Sequence, residues 1–144
     1  MAVTFVFYDH FLEIIGDGTL DMDNDTFKLA LLDNTHVFDA TDTQFSNVSA
    51  DEIAAGNGYT AGGNALTAVT WAQTTGTVKF DANDVVFTAS GGPLATSRFA
   101  LLYDDTTASD LLLGLVDMDG DKTPGDGDSL TIQWDASNGI FTIA

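Results

Sequence analysis

Residues 98–116 decide the predicted fold, and they read Arg-Phe-Ala-Leu-Leu-Tyr-Asp-Asp-Thr-Thr-Ala-Ser-Asp-Leu-Leu-Leu-Gly-Leu-Val. Two apolar runs, 98–103 and 111–116, flank the polar segment 104–110. Short apolar runs bounded by turn-forming residues are typical of strands, so we expect a β-hairpin. Because both runs are almost continuously apolar, we expect the hairpin to lie centrally in a sheet that is covered on both faces.

Shorter strand patterns lie on both sides of this hairpin. The further predicted strands are 26–33, 65–72, 77–81, 85–89, 130–134 and 140–143. Segments 77–81 and 85–89 are predicted to pair as a hairpin through 81–84, and Asn138-Gly139 is predicted to turn the chain from 134 into 140–143. About eight short strands separated by turn residues indicate a mainly β fold. We therefore predict an antiparallel β-sandwich, jelly-roll-like, in a single β-rich domain over 1–144.

One segment has a helical period instead. Phe5, Tyr8, Leu12 and Ile15 fall at i, i+3, i+7 and i+10, and Gly16 is a suitable C-cap. These positions predict one short N-terminal helix over 5–15. The other side of this helix is also largely apolar, so we expect the segment to be well buried or to lie at a subunit contact.

The charge of the chain excludes several classes of partner. There are 22 acidic and 4 basic side chains among 144 residues, for a net charge of −18. Nucleic-acid binding needs clustered Lys and Arg, and an anionic membrane surface needs them too, so we predict neither partner. The absence of Cys excludes disulfides and thiolate metal sites. We find no basic segment at the start that would mark a secretory signal.

The acidic segment 117–128 is the sharpest chemical feature. Its candidate metal ligands are Asp117, Asp119, Asp121, Asp126 and Asp128. Hard cations such as calcium prefer several oxygen ligands, and carboxylates on a Gly-rich loop can provide them. The spacing follows the start of an EF-hand loop, but Lys122 stands where that loop needs Gly. A solvated turn is the alternative, and no cofactor other than calcium is indicated. Asp21, Asp23 and Asp25 repeat the spacing without the Gly.

Catalytic motifs do not assemble in this sequence. The histidines are His10 and His36, each near an Asp, and such a residue is more often a surface or capping group than a base. A Gly-x-Ser-x-Gly elbow and a phosphate-binding loop are both missing. With so many acids, some carboxylate pair always lies at a glycosidase-like separation, which gives that observation no weight. We therefore predict that the protein is not an enzyme.

Several stretches together resemble a broad family of small structural proteins of tailed bacteriophages. The stretches are 25–32 after a short apolar segment, 53–64, 78–80 with 84–89, 98–105 followed by 111–114, and the terminal 134–143. The Gly-Tyr-Thr-x-Gly-Gly segment at 58–63, followed by the apolar strand that Arg98 begins, is the most specific part. The resemblance covers essentially the whole chain, and it carries no catalytic residues.

This resemblance implies a virion component that decorates or cements the capsid. The implied partners are the major capsid protein and other copies of the chain in a trimer or dimer. The implied location is the outer capsid surface, after synthesis in the host cytoplasm. Three alternatives remain open: a tail-associated virion protein, a calcium-dependent module that binds carbohydrate or protein, and an acidic mimic of nucleic acid.

Overall fold

The computed structural model describes residues 4–144, of which strands form most of the ordered structure. Strands account for 42% and helices for 9%, so the fold is mainly β with antiparallel sheets, as predicted. The elements are β1 (Thr4–Phe7), α1 (Phe11–Gly16), β2 (Phe27–Leu32), β3 (Asn64–Ala65), β4 (Thr70–Thr74), β5 (Thr77–Asp81), β6 (Val85–Thr88), β7 (Ser97–Asp104), β8 (Leu112–Lys122), β9 (Ser129–Ile132) and β10 (Phe141–Ile143). Two 3₁₀ turns lie at Phe45–Asn47 and Ser49–Asp51.

The predicted central hairpin is confirmed. β7 and β8 pair antiparallel, with Leu101 opposite Leu115, inside a five-stranded sheet of order β1-β8-β7-β2-β3. Both faces of this sheet are covered, which explains the uninterrupted apolar runs. One face joins the main core, while Leu101, Tyr103 and Leu115 on the other face pack in a second cluster with Phe45 from the long connection after β2.

A second layer covers the main face of the five-stranded sheet. It consists of a three-stranded sheet of order β10-β5-β4 and a two-stranded sheet of β6 and β9. Side chains of both layers share one buried core, for example Leu29 and Leu102 from the large sheet with Phe80 and Ile132 from the small ones. Two sheets packed face to face over an apolar core constitute the predicted sandwich.

The predicted helix over 5–15 is wrong in its first half. Thr4–Phe7 forms the edge strand β1, with Phe5 opposite Val116, and the helix begins only at Phe11. Phe5 and Phe7 point to the same side of the strand and contact Phe141 at ring-centroid distances of 5.7 and 5.0 Å. Pairing with β8 and this aromatic contact are long-range interactions, which override a local helical period.

Two predicted hairpins are also wrong. The 81–84 segment does not pair β5 with β6, because β5 pairs with β4 and β10 while β6 pairs with β9. It carries the chain between the two small sheets, and Asp84 Oδ1 accepts the Trp134 backbone N–H there at 2.9 Å. The 134–143 turn sends β10 to β5 instead of back to β9. The predicted strand 65–72 is interrupted between β3 and β4, where Ala68 has a φ of +53°.

Candidate functional site

The acidic segment 117–128 is only partly a loop. β8 continues through Lys122, so its first half is strand, and we call residues 117–128 the acidic ribbon. Asp117 lies opposite Phe99 and Lys122 opposite Ser97, so this part of β8 bulges, with Asp119 at a φ of +53°. Alternate residues of an extended strand are about 7 Å apart, and their side chains share one face only where the strand is regular.

The carboxylates of the acidic ribbon have separate partners. Asp117 Oδ1 accepts the Asp119 backbone N–H at 2.9 Å and lies 3.6 Å from Arg98 Nε. Asp121 Oδ2 accepts the Asn34 amide at 2.8 Å, and Asp126 Oδ1 accepts the Gly91 backbone N–H at 2.9 Å. Within residues 4–144, no three Asp, Glu or His side chains form a metal-binding group. The structure therefore does not bring together the five predicted ligands, Asp117, Asp119, Asp121, Asp126 and Asp128.

Two other acidic segments do meet, although the sequence keeps them far apart. We call residues 21–25 and 104–110 the paired acidic loops. The Asp105 backbone N–H donates to the Thr26 carbonyl at 2.8 Å, and the Thr26 N–H donates to Thr106 Oγ1 at 2.7 Å. These bonds extend the pairing of β2 with β7, whose last matched residues are Phe27 and Asp104. The register of the large sheet thus sets one loop against the other.

Asp104 is the most unusual side chain of the paired acidic loops. It is fully buried, and its Oδ1 accepts the backbone N–H groups of Thr106 and Thr107 at 2.6 and 3.2 Å. In the part of the chain that the structure describes, no N–H or hydroxyl group donates to its buried Oδ2. The neighbour within reach is the carboxyl of Asp25, which can hydrogen-bond with Asp104 only when one of the two carries a proton. Burial first, and then this hydrogen bond with Asp25, raise the pKa of Asp104 to about 6.

The rest of the paired acidic loops adds negative charge with one compensating cation. Lys28 Nζ lies 3.1 Å from Asp105 Oδ2. Burial and the charge of Asp105 raise the pKa of Asp110, although Lys28 opposes this effect. Asp25 is half-buried, and its Oδ2 accepts the Asp21 backbone N–H at 2.9 Å. Sequence reasoning missed Asp104 because it stands between an apolar strand and a turn, where a solvated Asp is the ordinary expectation.

Both histidines have structural partners. His36 is buried against Phe99, and its Nδ1 forms a 2.8 Å hydrogen bond with an Asp51 carboxylate oxygen. His10 Nε2 lies 2.9 Å from the Leu112 backbone carbonyl and can donate to it. Each ring fixes a loop or helix start against the large sheet. These contacts fit the structural interpretation of His10 and His36.

The Gly-Tyr-Thr-x-Gly-Gly segment forms a partly buried hydrogen-bond network around Glu52. Tyr59 Oη donates to Glu52 Oε1 at 2.7 Å and accepts the Leu31 N–H at 3.0 Å. The Gly62 N–H donates to the same carboxylate oxygen, while the Gly62 carbonyl accepts Tyr103 Oη at 2.6 Å. Burial raises the pKa of both tyrosines. The segment thus ties the connection before β3 to β2 and β7, which is a structural role.

The exposed apolar side chains near the N-terminal strand form a third feature. Val6 is 40% exposed, Phe7 37% and Leu12 64%. Phe7, Leu12 and Ile143 line a cavity of about 450 Å³ that reaches the end of the chain. We call Phe7, Leu12 and Ile143 the terminal patch, whereas Val6 points to the opposite face of β1. The terminal patch lies at β1, which is an edge strand of the large sheet.

Comparison with protein-family models, with curated proteins and with solved structures finds no match for this chain. Among residues 4–144, no helix is long and apolar enough to cross a membrane.

Proposed function

We propose that this chain is a capsid decoration or cement protein of a tailed bacteriophage. The observation that carries the proposal is the terminal patch, an exposed apolar surface on a protein with a net charge of −18. The sequence resemblance to small phage structural proteins supports the same assignment.

The charge distribution determines which surface can dock. Burying a carboxylate against a partner costs free energy unless it is paired, and this chain has only four basic side chains for such pairing. Apolar side chains gain free energy when they leave water, at about 25 cal/mol per Å². The terminal patch is therefore the surface whose contact with a shell is most favourable, while the acidic ribbon faces solvent.

The partners in this proposal are the major capsid protein and further copies of the chain. A shell presents many identical sites, so an oligomer that contacts several of them gains affinity without any new type of contact. A trimer or dimer on the outer capsid surface also keeps the negative charge away from packaged DNA. No nucleic acid, membrane or catalytic step enters this function.

Cryo-electron microscopy of the phage that encodes the chain tests the proposal. We expect density for this fold on the outside of the capsid, with the terminal patch toward the shell. Density on the tail would replace the proposal with a tail-associated role. Absence of the chain from purified particles, measured by mass spectrometry, would contradict both.

Binding of the purified protein to particles that lack it tests whether the terminal patch, and not non-specific apolar adsorption, holds the protein on the shell. Leu12→Gln keeps a helix-compatible side chain and should weaken binding at least about tenfold. The matched control is Val86→Thr, because Val86 on β6 is also exposed, to 47%, but lies far from the terminal patch. Its carbonyl accepts the Asn64 amide from β3, and β3 is the edge strand opposite β1 in the large sheet. Equal binding of the two variants would remove the terminal patch from the proposal.

A further inference from the structure

The pairing of Phe27 with Asp104, and the hydrogen bond from the Asp105 N–H to the Thr26 carbonyl, bring the carboxyls of Asp25 and Asp104 within hydrogen-bonding reach where the paired acidic loops meet. The geometry points to a binding site for one divalent cation, such as calcium, between Asp25 and Asp104. This site uses none of the carboxylates of the acidic ribbon, and it goes beyond the proposed function, because a decoration protein needs no ion.

The first argument is the state of Asp104. The residue is 0% exposed, and its Oδ2 has no hydrogen-bond donor. A buried carboxylate oxygen without a donor or cation loses its hydration and gains nothing in return, which costs several kcal/mol in general. Such an orphan oxygen needs an explanation, and a proton, a water molecule or a cation beside it can provide one.

The second argument is that, among residues 4–144, no ion pair places a positive charge at this oxygen. Its neighbour is the carboxyl of Asp25, and two ionised carboxylates in contact repel each other. The Lys28 ammonium is 3.1 Å from Asp105, which it neutralises instead. Asp110 adds a further negative charge to the same loops. The positive charge that the pair requires must therefore come from solution.

The third argument is that the Asp104 carboxylate is held in one orientation. The Thr106 and Thr107 amides bind its Oδ1, so its Oδ2 stays directed away from the turn. Hydrogen bonds that fix a carboxylate before the ion arrives increase the affinity of metal sites. Asp25 is half-buried, so water has access from its side and can complete the coordination of a hard cation.

A proton shared between Asp25 and Asp104 is the competing occupant of this site, and a proton and a divalent cation predict different results. A shared proton needs acid and does not respond to calcium. A divalent cation matches the charge of two ionised carboxylates and binds best when neither is protonated. A site with two carboxylates and water as ligands should bind calcium with a dissociation constant of about 10⁻³ M, at the weak end of known calcium sites.

Thermal unfolding of the full chain at pH 8 tests the inference. After treatment with EDTA, the protein is heated with 10 mM CaCl₂ or with NaCl of the same ionic strength. We expect calcium to raise the Tm of the wild type by about 3–6 °C more than NaCl. Asp25→Asn and Asp104→Asn should abolish that difference, whereas Asp119→Asn, which removes an acidic-ribbon charge, should keep it.

Terbium luminescence provides a second measurement that does not depend on stability. Tb³⁺ replaces calcium at oxygen sites, and the adjacent Tyr103 can sensitise it when excited. We expect saturable emission with one ion per chain, lost in Asp104→Asn and retained in Asp119→Asn. A calcium shift that survives in Asp104→Asn would overturn the inference. So would a wild type that calcium does not stabilise beyond NaCl.

Discussion

The acidic ribbon and the paired acidic loops have similar compositions and opposite environments. In the acidic ribbon, Asp119 and Asp121 are exposed. The carboxylates of Asp117 and Asp121 accept hydrogen bonds from different donors, so the two do not share a partner. In the paired acidic loops, Asp104 is fully buried against Asp25 with an oxygen that has no donor. The number of Asp residues in a segment therefore says little about its electrostatic energy, which burial decides.

The difference arises from the sheet and not from the loops. β8 extends beyond the end of β1 and pairs with β7 as far as Lys122, so the first half of the acidic ribbon has a neighbouring strand on one side only, with a bulge at Asp119 and Gly120. β7 instead ends beneath the connection to β2, so its last residue is covered. The position of a strand end relative to its neighbours thus decides whether a carboxylate is solvated.

The largest expected effect compares tight packing against β2, the strand that follows one of the paired acidic loops, with open space in the acidic ribbon. Gly63 and Gly127 have nearly the same φ, +79° and +85°, so Ala is equally strained at either. A Cβ at Gly63 would overlap the Leu29 carbonyl oxygen, whereas a Cβ at Gly127 in the acidic ribbon meets nothing within 4 Å. We expect Gly63→Ala to lower the free energy of unfolding by at least about 3 kcal/mol and Gly127→Ala by about 1 kcal/mol.

Urea unfolding followed by tryptophan fluorescence measures both values. The Gly62 carbonyl accepts Tyr103 Oη, so a displaced Gly63 also disturbs the strand that ends at Asp104. Recovery of Gly63→Ala only as insoluble protein would agree with a large loss. Equal losses in the two variants would mean that the close approach to Leu29 relaxes at little cost.

The second prediction concerns pH and separates Asp104 from the acidic ribbon. The pKa of Asp104 is raised to about 6 from the ordinary value of 3.8, so the folded state binds this proton more tightly than the unfolded state. The resulting stability is complete below about pH 4 and is lost as the pH rises through 6. The contribution is about 3 kcal/mol at most.

Unfolding in EDTA between pH 4 and pH 8 measures this contribution. Asp104→Asn removes the titrating group and keeps an oxygen for the Thr106 amide, so its stability should fall by about 2–3 kcal/mol less than that of the wild type over this range. Asp119→Asn should follow the wild type, since it changes the net charge equally. Parallel curves for all three proteins would show that Asp104 titrates as an ordinary exposed carboxyl.

The sequence predicted the centre of the fold because that information is local. Two continuous apolar runs around 104–110 specify a covered hairpin, and the structure has it as β7 and β8. The prediction from the sequence was wrong at the start of 5–15, where an almost wholly apolar segment fits both the helical period and the strand period. The choice of a strand at Thr4–Phe7 depends on pairing with β8 and on contact with Phe141, which no local pattern contains.

The candidate ligands were chosen by a local rule. The acidic ribbon attracted attention because its Asp residues are close in sequence, whereas the structure gives its carboxylates separate partners. Asp25 and Asp104 are far apart in sequence and meet only through the register of β2 with β7. Spacing rules detect ligands on one loop, and they cannot detect a pair that a sheet assembles.

The smallest expected effect compares the cations beside the two regions. Lys28 lies 3.1 Å from Asp105, whereas Arg98 Nε lies 3.6 Å from Asp117, and all four side chains are about one-third exposed. Exposed ion pairs contribute about 0.2–1 kcal/mol each. Lys28 also faces the charge of Asp110, so we expect Lys28→Met to cost about 1 kcal/mol in 20 mM NaCl and Arg98→Met about 0.3 kcal/mol.

Urea unfolding in EDTA at 20 and 500 mM NaCl measures both losses. The loss in Lys28→Met should shrink at high salt, because screening weakens the repulsion among the carboxylates left behind. Equal and salt-independent losses would mean that the two methionine variants report lost side-chain packing, and that the paired acidic loops need no more positive charge than the acidic ribbon.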